Sequence, residues 1–336
     1  MEFLTLAQKI YFGFVIGFIG LTIGSFLNVV ALRLLAGKDF IKGRSMCPKC
    51  ENLIAWYDNI PVLSYILLRG KCRKCKEKIS IQYPIVELLT GALFIAVVGV
   101  FGFTLKTLFL LILTCNLIVL TITDLKEQYI FDINSVPLIP LGLIYNFFDI
   151  GNNSVGTLKV LGLTVNDVFI TALIGAVIGA AFFEIFSRVG LLLAGEYAFG
   201  AGDSILAAAF GAWFGWKLII IILVLSFLSQ MVIGVPIIVY NMHKSKDFQS
   251  LWAMGGLFFA VGLTFIGRHY TFTGKPFIAL GVILLSFLVA GISIFVILKR
   301  TRERQSYTFL PFGPALVVAG FLVMFFSEKL LTFLPY

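Results

Sequence analysis

The run Tyr11–Leu32, YFGFVIGFIGLTIGSFLNVVAL, decides the fold class. It carries no charged side chain, and an α-helix needs about 20 apolar residues, rising 1.5 Å each, to cross a hydrocarbon core. The run is too long for the apolar part of a cleavable signal. It has no basic segment before it and leads straight into Arg33 without a small-residue cleavage site. It reads as a first transmembrane helix. Composition extends that reading to the whole chain. The 336 residues are 60% hydrophobic and 13% charged, about half the charge of soluble domains.

Nine further apolar segments follow: Pro84–Phe103, Thr107–Thr123, Ile133–Phe148, Val168–Phe186, Ser204–Trp216, Leu218–Tyr240, Leu251–Ile266, Phe277–Leu298 and Pro314–Phe326. Ser204–Trp216 is short and rich in Gly and Ala, which suits a helix packed inside a bundle. With the N-terminus outside, nineteen of the 26 Lys and Arg residues fall on inside loops and seven outside. By the positive-inside rule the segment from Leu34 to Tyr83 is cytoplasmic, and so are the starts and ends of helices at that face. The formal charge of +9 therefore reads as membrane orientation rather than as a nucleic-acid footprint. Two histidines, His243 and His269, leave little material for a His-based triad, and no His-Glu-x-x-His zinc motif is present.

About 50 residues between the first two spans cannot bury much core and need a staple. Cys47-Pro-Lys-Cys50 and Cys72-Arg-Lys-Cys75 supply one. Four thiolates at this spacing match a closed tetrahedral zinc site, structural rather than catalytic. Two disulfides are the alternative, which a reducing cytosol disfavours. Lys and Arg around the knuckles suit nucleic acid or anionic headgroups, and the closeness of the membrane favours headgroups. Cys115, in an apolar span, reads as a core residue. The fold expected is an all-α polytopic membrane protein: a bundle of about 8–10 transmembrane helices with a small cytoplasmic zinc-knuckle domain.

Phe199-Gly200-Ala201-Gly202-Asp203 joins a polar loop to an apolar run. The bland reading is a turn with Asp203 capping a helix. An aspartate at a membrane boundary is also a functional-site hypothesis by default, and the glycines leave room for close backbone approach. Asp124 ends span three at the same expected depth, with Glu127 and Asp132 as rivals in the same turn. Two carboxylates at one level can share a proton, one serving as acid and the other as base in peptide hydrolysis.

These residues, in this order, resemble the type IV prepilin peptidases, the bifunctional leader peptidase/N-methyltransferases of the GxGD membrane aspartic protease class. The resemblance rests on Gly24-Ser-Phe-Leu-Asn-Val-Val30, Cys47-x-x-Cys50, Trp56-Tyr-Asp-Asn-Ile-Pro-Val-Leu-Ser64, Arg69-Gly-Lys-Cys-x-x-Cys75 and Tyr83-Pro-Ile-Val-Glu87. It continues through Asp124, Glu196, Gly200-x-Gly202-Asp203 and Pro311-Phe-Gly-Pro314. It implies Asp124 and Asp203 as a catalytic dyad in the inner membrane. The implied substrates are prepilins and type II secretion pseudopilins, cut after a glycine that ends a short basic leader. The new N-terminal amine would be methylated from S-adenosylmethionine, with Gly70 and Lys71 in the motif tied to that activity. No glycine-rich nucleotide loop is visible for the methyl donor.

The domains expected are 1–33, the first transmembrane helix; 34–83, the four-cysteine zinc domain; 84–242, the aspartyl protease core; 243–304, an insertion with two extra spans; and 305–336, the Pro-Phe-Gly-Pro motif and last span. The sequence departs from the family at Phe131, where proline is usual, at Ile205, where lysine is usual, and in the insertion. Two rival functions are a methyltransferase with reduced peptidase activity and a non-enzymatic zinc-knuckle scaffold or transporter. Oligomeric state is not legible.

Overall fold

The computed structural model describes residues 5–39, 45–47, 49–150, 157–160, 163–195, 197–244, 248–272, 276–304 and 311–331. Glu196 lies outside them. The helices are α1 (Leu6–Leu35), α2 (Leu63–Leu67), α3 (Gln82–Phe101), α4 (Leu105–Glu127), α5 (Asp132–Ser135), α6 (Leu138–Phe147), α7 (Asp167–Ala194), α8 (Ala201–Lys244), α9 (Phe248–Phe272), α10 (Pro276–Arg304) and α11 (Gly313–Leu331). A 3-10 turn at Trp56–Asn59 precedes α2. A two-stranded antiparallel hairpin, β1 (Thr157–Val160) and β2 (Leu163–Asn166), joins α6 to α7. Among the described residues seven helices are long and apolar enough to span a membrane, and Leu280–Ser293 in α10 forms a shorter apolar helix.

The chain divides into two compact units. The first holds residues up to Phe183, Ala201–Ser226 and the chain from Pro311. Its α1 and α3 run antiparallel with small residues at the crossing: Gly20 meets Gly91 and Gly24 meets Glu87 and Thr90. Lipid offers no hydrophobic drive for helix pairing, so close backbone approach has to supply the contact. Leu27, Ala31, Val86, Ile118, Val119 and Ile122 then close a core against α4.

Two expected spans need redrawing. Ile133–Phe148 is not one helix but α5 followed by α6. Pro137 stands between them, and proline has no N–H to continue a helical ladder. The two expected spans Ser204–Trp216 and Leu218–Tyr240 fall within α8, which is broken at Gly215 (φ 78°, ψ 175°). That conformation is open only to glycine at low cost. The break removes the helical partners of the Ala212 and Trp213 carbonyls. The Asn146 amide takes both, at 2.8 and 3.1 Å, and the Trp213 indole donates to the Leu138 carbonyl at 2.9 Å. A broken helix survives inside a membrane only where such partners exist.

The second unit holds Glu184–Gly200 and Phe227–Leu310. Its α9 and α10 form an antiparallel pair: Gly256 packs on Ser293, and Thr264 donates to the Ser286 hydroxyl at 3.3 Å.

Candidate active site

Asp124 lies in the last turn of α4 and is 5% exposed. Its Oδ2 accepts the backbone N–H of Gly313 at 2.9 Å. Gly313 opens α11, so this is one of the unsatisfied N–H groups at a helix start, a natural anion partner. The Phe312 carbonyl accepts from Ala315 and Leu316 to cap α11, and the Phe312 ring packs edge-on to Phe183. A Cβ at Gly313 would lie 2.5 Å from Asp124 Oδ2, so any other residue there would push the carboxylate aside.

The chain leaves α4 through Gln128 in the left-handed conformation (φ 53°) and returns at Phe131, which caps α5 at φ −74°. Proline adopts that same φ, so the Phe131 backbone is one that proline could also hold. Buried Ile130 lies between the two motifs. A Cβ added at Gly202 would be 2.6 Å from Ile130 Cβ, and one at Gly313 would be 3.4 Å from Ile130 Cδ1. Ile130 thus packs against Gly202, the neighbour of Asp203, and against Gly313, the partner of Asp124. Asp203 is half-buried in the first turn of α8, where the helix dipole favours negative charge. Asp124 sits at a helix C-terminus, where the dipole opposes it. Its rivals differ: Glu127 and Asp132 are both exposed. Ile205 is half-buried one turn into α8. Gly200, in the second unit, is exposed, and the Phe199 carbonyl before it accepts from Ser187 Oγ at 2.7 Å.

Gly313 is the site residue that the sequence reading did not single out. Its signal was present in the Pro311-Phe-Gly-Pro314 motif, but nothing local says that this glycine serves a carboxylate 189 positions earlier.

The four cysteines do come together. Their Sγ atoms all lie within 4.8 Å of one another, and Cys47 and Cys75 are 3.8 Å apart. A tetrahedron with zinc–sulfur arms of about 2.3 Å has edges of about 3.8 Å, so the donor set fits zinc. The two knuckles repeat one backbone design. Cys47 N–H bonds Asn52 O as Cys72 N–H bonds Glu77 O; Ile54 N–H bonds Ser45 O as Ile79 N–H bonds Gly70 O. Glu51 and Lys76, each following a second cysteine, share a positive φ (54° and 59°). Asn52 main-chain and side-chain bonds lower the Cys50 thiol to about 6, and the N–H groups of Cys75 and Lys74 lower Cys72. Cys75 is drawn down by the Glu77 N–H, but desolvation and the three neighbouring sulfurs outweigh it and push it up to about 12. A cation is what lets all four ionise together.

Gly70 and Lys71 belong to this scaffold. Gly70 (φ 67°) donates to Tyr65 O, closing α2, and accepts from Ile79 in the second knuckle. Lys71 pairs with Lys78 across the knuckle, and its side chain is exposed. Arg73 fastens the knuckle to the 3-10 turn through a forked pair with Asp58, the closest contact being 2.6 Å. That guanidinium holds the Asp58 carboxyl below its ordinary range.

Residues 18–101 match the model of the bacterial peptidase A24 N-terminal domain, and residues 111–235 match that of the type IV leader peptidase family. Three proteins similar to this chain are each named prepilin leader peptidase/N-methyltransferase. That of Neisseria gonorrhoeae is 38% identical over 68% of this chain and 82% of its own length. That of Aeromonas hydrophila is 36% identical over 70% and 85%. That of Myxococcus xanthus is 36% identical over 65% of this chain, which spans 60% of that relative. No solved structure matches. Two family models in sequence, relatives over most of their length and the four-cysteine cluster agree: the chain belongs to the type IV leader peptidase family, the prepilin leader peptidase/N-methyltransferases.

Proposed function

We propose that this chain removes the short basic leader of prepilins or pseudopilins at the cytoplasmic face of the inner membrane, with Asp124 and Asp203 as a proton-sharing dyad. The carrying observation is the Gly313 N–H on the buried Asp124 carboxylate, with Ile130 packed between Gly313 and Gly202. Two carboxylates in a poorly solvated site cannot both be charged cheaply, so they hold one proton between them. The ionised member takes a proton from water as that water attacks the scissile carbonyl. The protonated member gives its proton to the carbonyl oxygen, and collapse of the gem-diol returns a proton to the leaving amine. The Gly313 N–H fixes the orientation of Asp124 through this exchange.

Methylation of the new N-terminal amine is the second activity proposed, with S-adenosylmethionine as the source of the methyl group. The Gly70 N–H is bonded inside the loop, while its carbonyl, which accepts from Ile79, keeps a second lone pair that can accept from that cofactor. The exposed Lys71 amine fits the carboxylate of such a donor. The cysteines hold zinc as a staple.

The cleavage reading is tested by following leader removal by the purified full chain across pH. A dyad that shares a proton gives a bell-shaped profile in kcat/KM. A rate rising through a single titration to a plateau would count against it.

A further inference from the structure

The short helix α2 is built inside out for a water-facing loop. Of its two hydroxyl side chains, Tyr65 is half-buried and Ser64 is buried, accepting from Ile60 N–H and donating to Tyr57 O at 2.9 Å. Its apolar side chains face outward: Leu63, Ile66 and Leu67 are 48%, 63% and 70% exposed. Positions i, i+3 and i+4 share one helical face, so the three make one stripe. Exposed stripes of this kind mark an apolar environment or partner.

The backbone ties α2 to the first turns of a spanning helix. Val62, just before it, donates its N–H to Glu87 Oε2 at 2.7 Å. Glu87 is five residues into the spanning helix α3, about 7 Å along its axis from Gln82. Val62 holds a positive φ (φ 60°, ψ −48°), with Leu63 N–H bonded to Pro61 O in a γ-turn. A β-branched residue adopts this only under constraint, and the buried Glu87 carboxylate supplies it. On α3 itself, Ile85, Leu88 and Leu89 form the same exposed i, i+3, i+4 pattern, as a lipid-facing stripe does. Beyond α2 the chain is basic: Arg69, Lys71, Lys74, Lys76 and Lys78 are all exposed.

We infer that α2 is an interfacial anchor. Leu63, Ile66 and Leu67 lie among the acyl chains of the leaflet next to the zinc loop, and the following lysines and Arg69 meet anionic headgroups. The Glu87 latch fixes the depth, and the Gly70 turn sends the second knuckle back toward water. The apolar stripe supplies affinity and the cations supply lipid preference. The inference rests on the chain spanning the membrane and not on the aspartate chemistry.

The test uses Leu67→Trp in the full chain, reconstituted in nanodiscs, with wild-type emission subtracted. Zinc content equal to wild type certifies the loop, and Ile66→Trp serves as the second reporter position. The added emission should be blue-shifted. It should lose at least half its intensity to lipids brominated near the headgroup end of the acyl chain and resist aqueous iodide. Quenching should be greater with anionic phosphatidylglycerol than with phosphatidylcholine alone, and smaller when Leu63→Ser is added. Emission at the wavelength of water-exposed tryptophan, quenched by iodide and not by bromolipid, would overturn the inference. So would bromolipid quenching that an added prepilin peptide abolishes, since the stripe would then be a substrate surface.

Discussion

Gly313 meets Asp124 in two ways: its N–H is bonded to the carboxylate, and its missing side chain leaves that carboxylate its room. Gly313→Ala should push Asp124 out of line and lower the cleavage rate by about 10². Zinc content and methylation of an already cleaved pilin should stay at wild-type levels; a wild-type cleavage rate would show that the contact is incidental. At the knuckle, Asp58→Asn removes the partner of Arg73. The folded Asp58 pKa is depressed, so the pair contributes at any pH above the ordinary carboxylate range and is lost only as pH falls through the folded value. At neutral pH, Asp58→Asn should therefore release zinc faster to a chelator than wild type does, as read by a metallochromic dye. The cysteine cluster was legible because its spacing is local. Asp124 drew notice because a carboxylate ending an apolar run is costly, and the structure buries it. The donor that orients it was not, because the bond depends on how α11 returns to α4.

Helix α8 shows how an element is set by its neighbours. The sequence reading placed two spans on either side of residue 217. The structure breaks at Gly215, and Asn146 from α6 satisfies the carbonyls that the break releases. Asn146→Ala should leave them unpaired in a buried site at a cost of about 1–3 kcal/mol, seen as a lower unfolding temperature in detergent. An unchanged unfolding temperature would mean that the break has other partners. The expected span Ile133–Phe148 is apolar enough to cross, and what hydropathy could not see is the interruption of its helix at Pro137. The zinc knuckles are the converse case. Their spacing foretold the four-cysteine cluster, and the repeated backbone pattern appears only once the main-chain bonds are traced. Cys72→Ser should reduce bound zinc to background in metal analysis of the purified chain; full zinc content would defeat the four-cysteine site.

For the whole molecule, hydropathy made the membrane class and nearly every long helix legible, because lipid forces each span to be long and apolar. It left open how residues 243–304 relate to the rest. The family-model matches end at residue 235, and α9 and α10 belong to the second compact unit. Orientation is a prediction of charge: a phosphatase reporter fused after Lys78 should be inactive, and one fused after Tyr336 active. The reverse pattern would invert the account of which face carries the aspartates. The central claim is that Asp124 and Asp203 together cut the leader, and the direct measurement is a cleavage time course with purified Asp124→Asn and Asp203→Asn. Each variant should abolish leader removal from a prepilin while still methylating an already cleaved pilin. Leader removal at the wild-type rate by either variant would contradict the account.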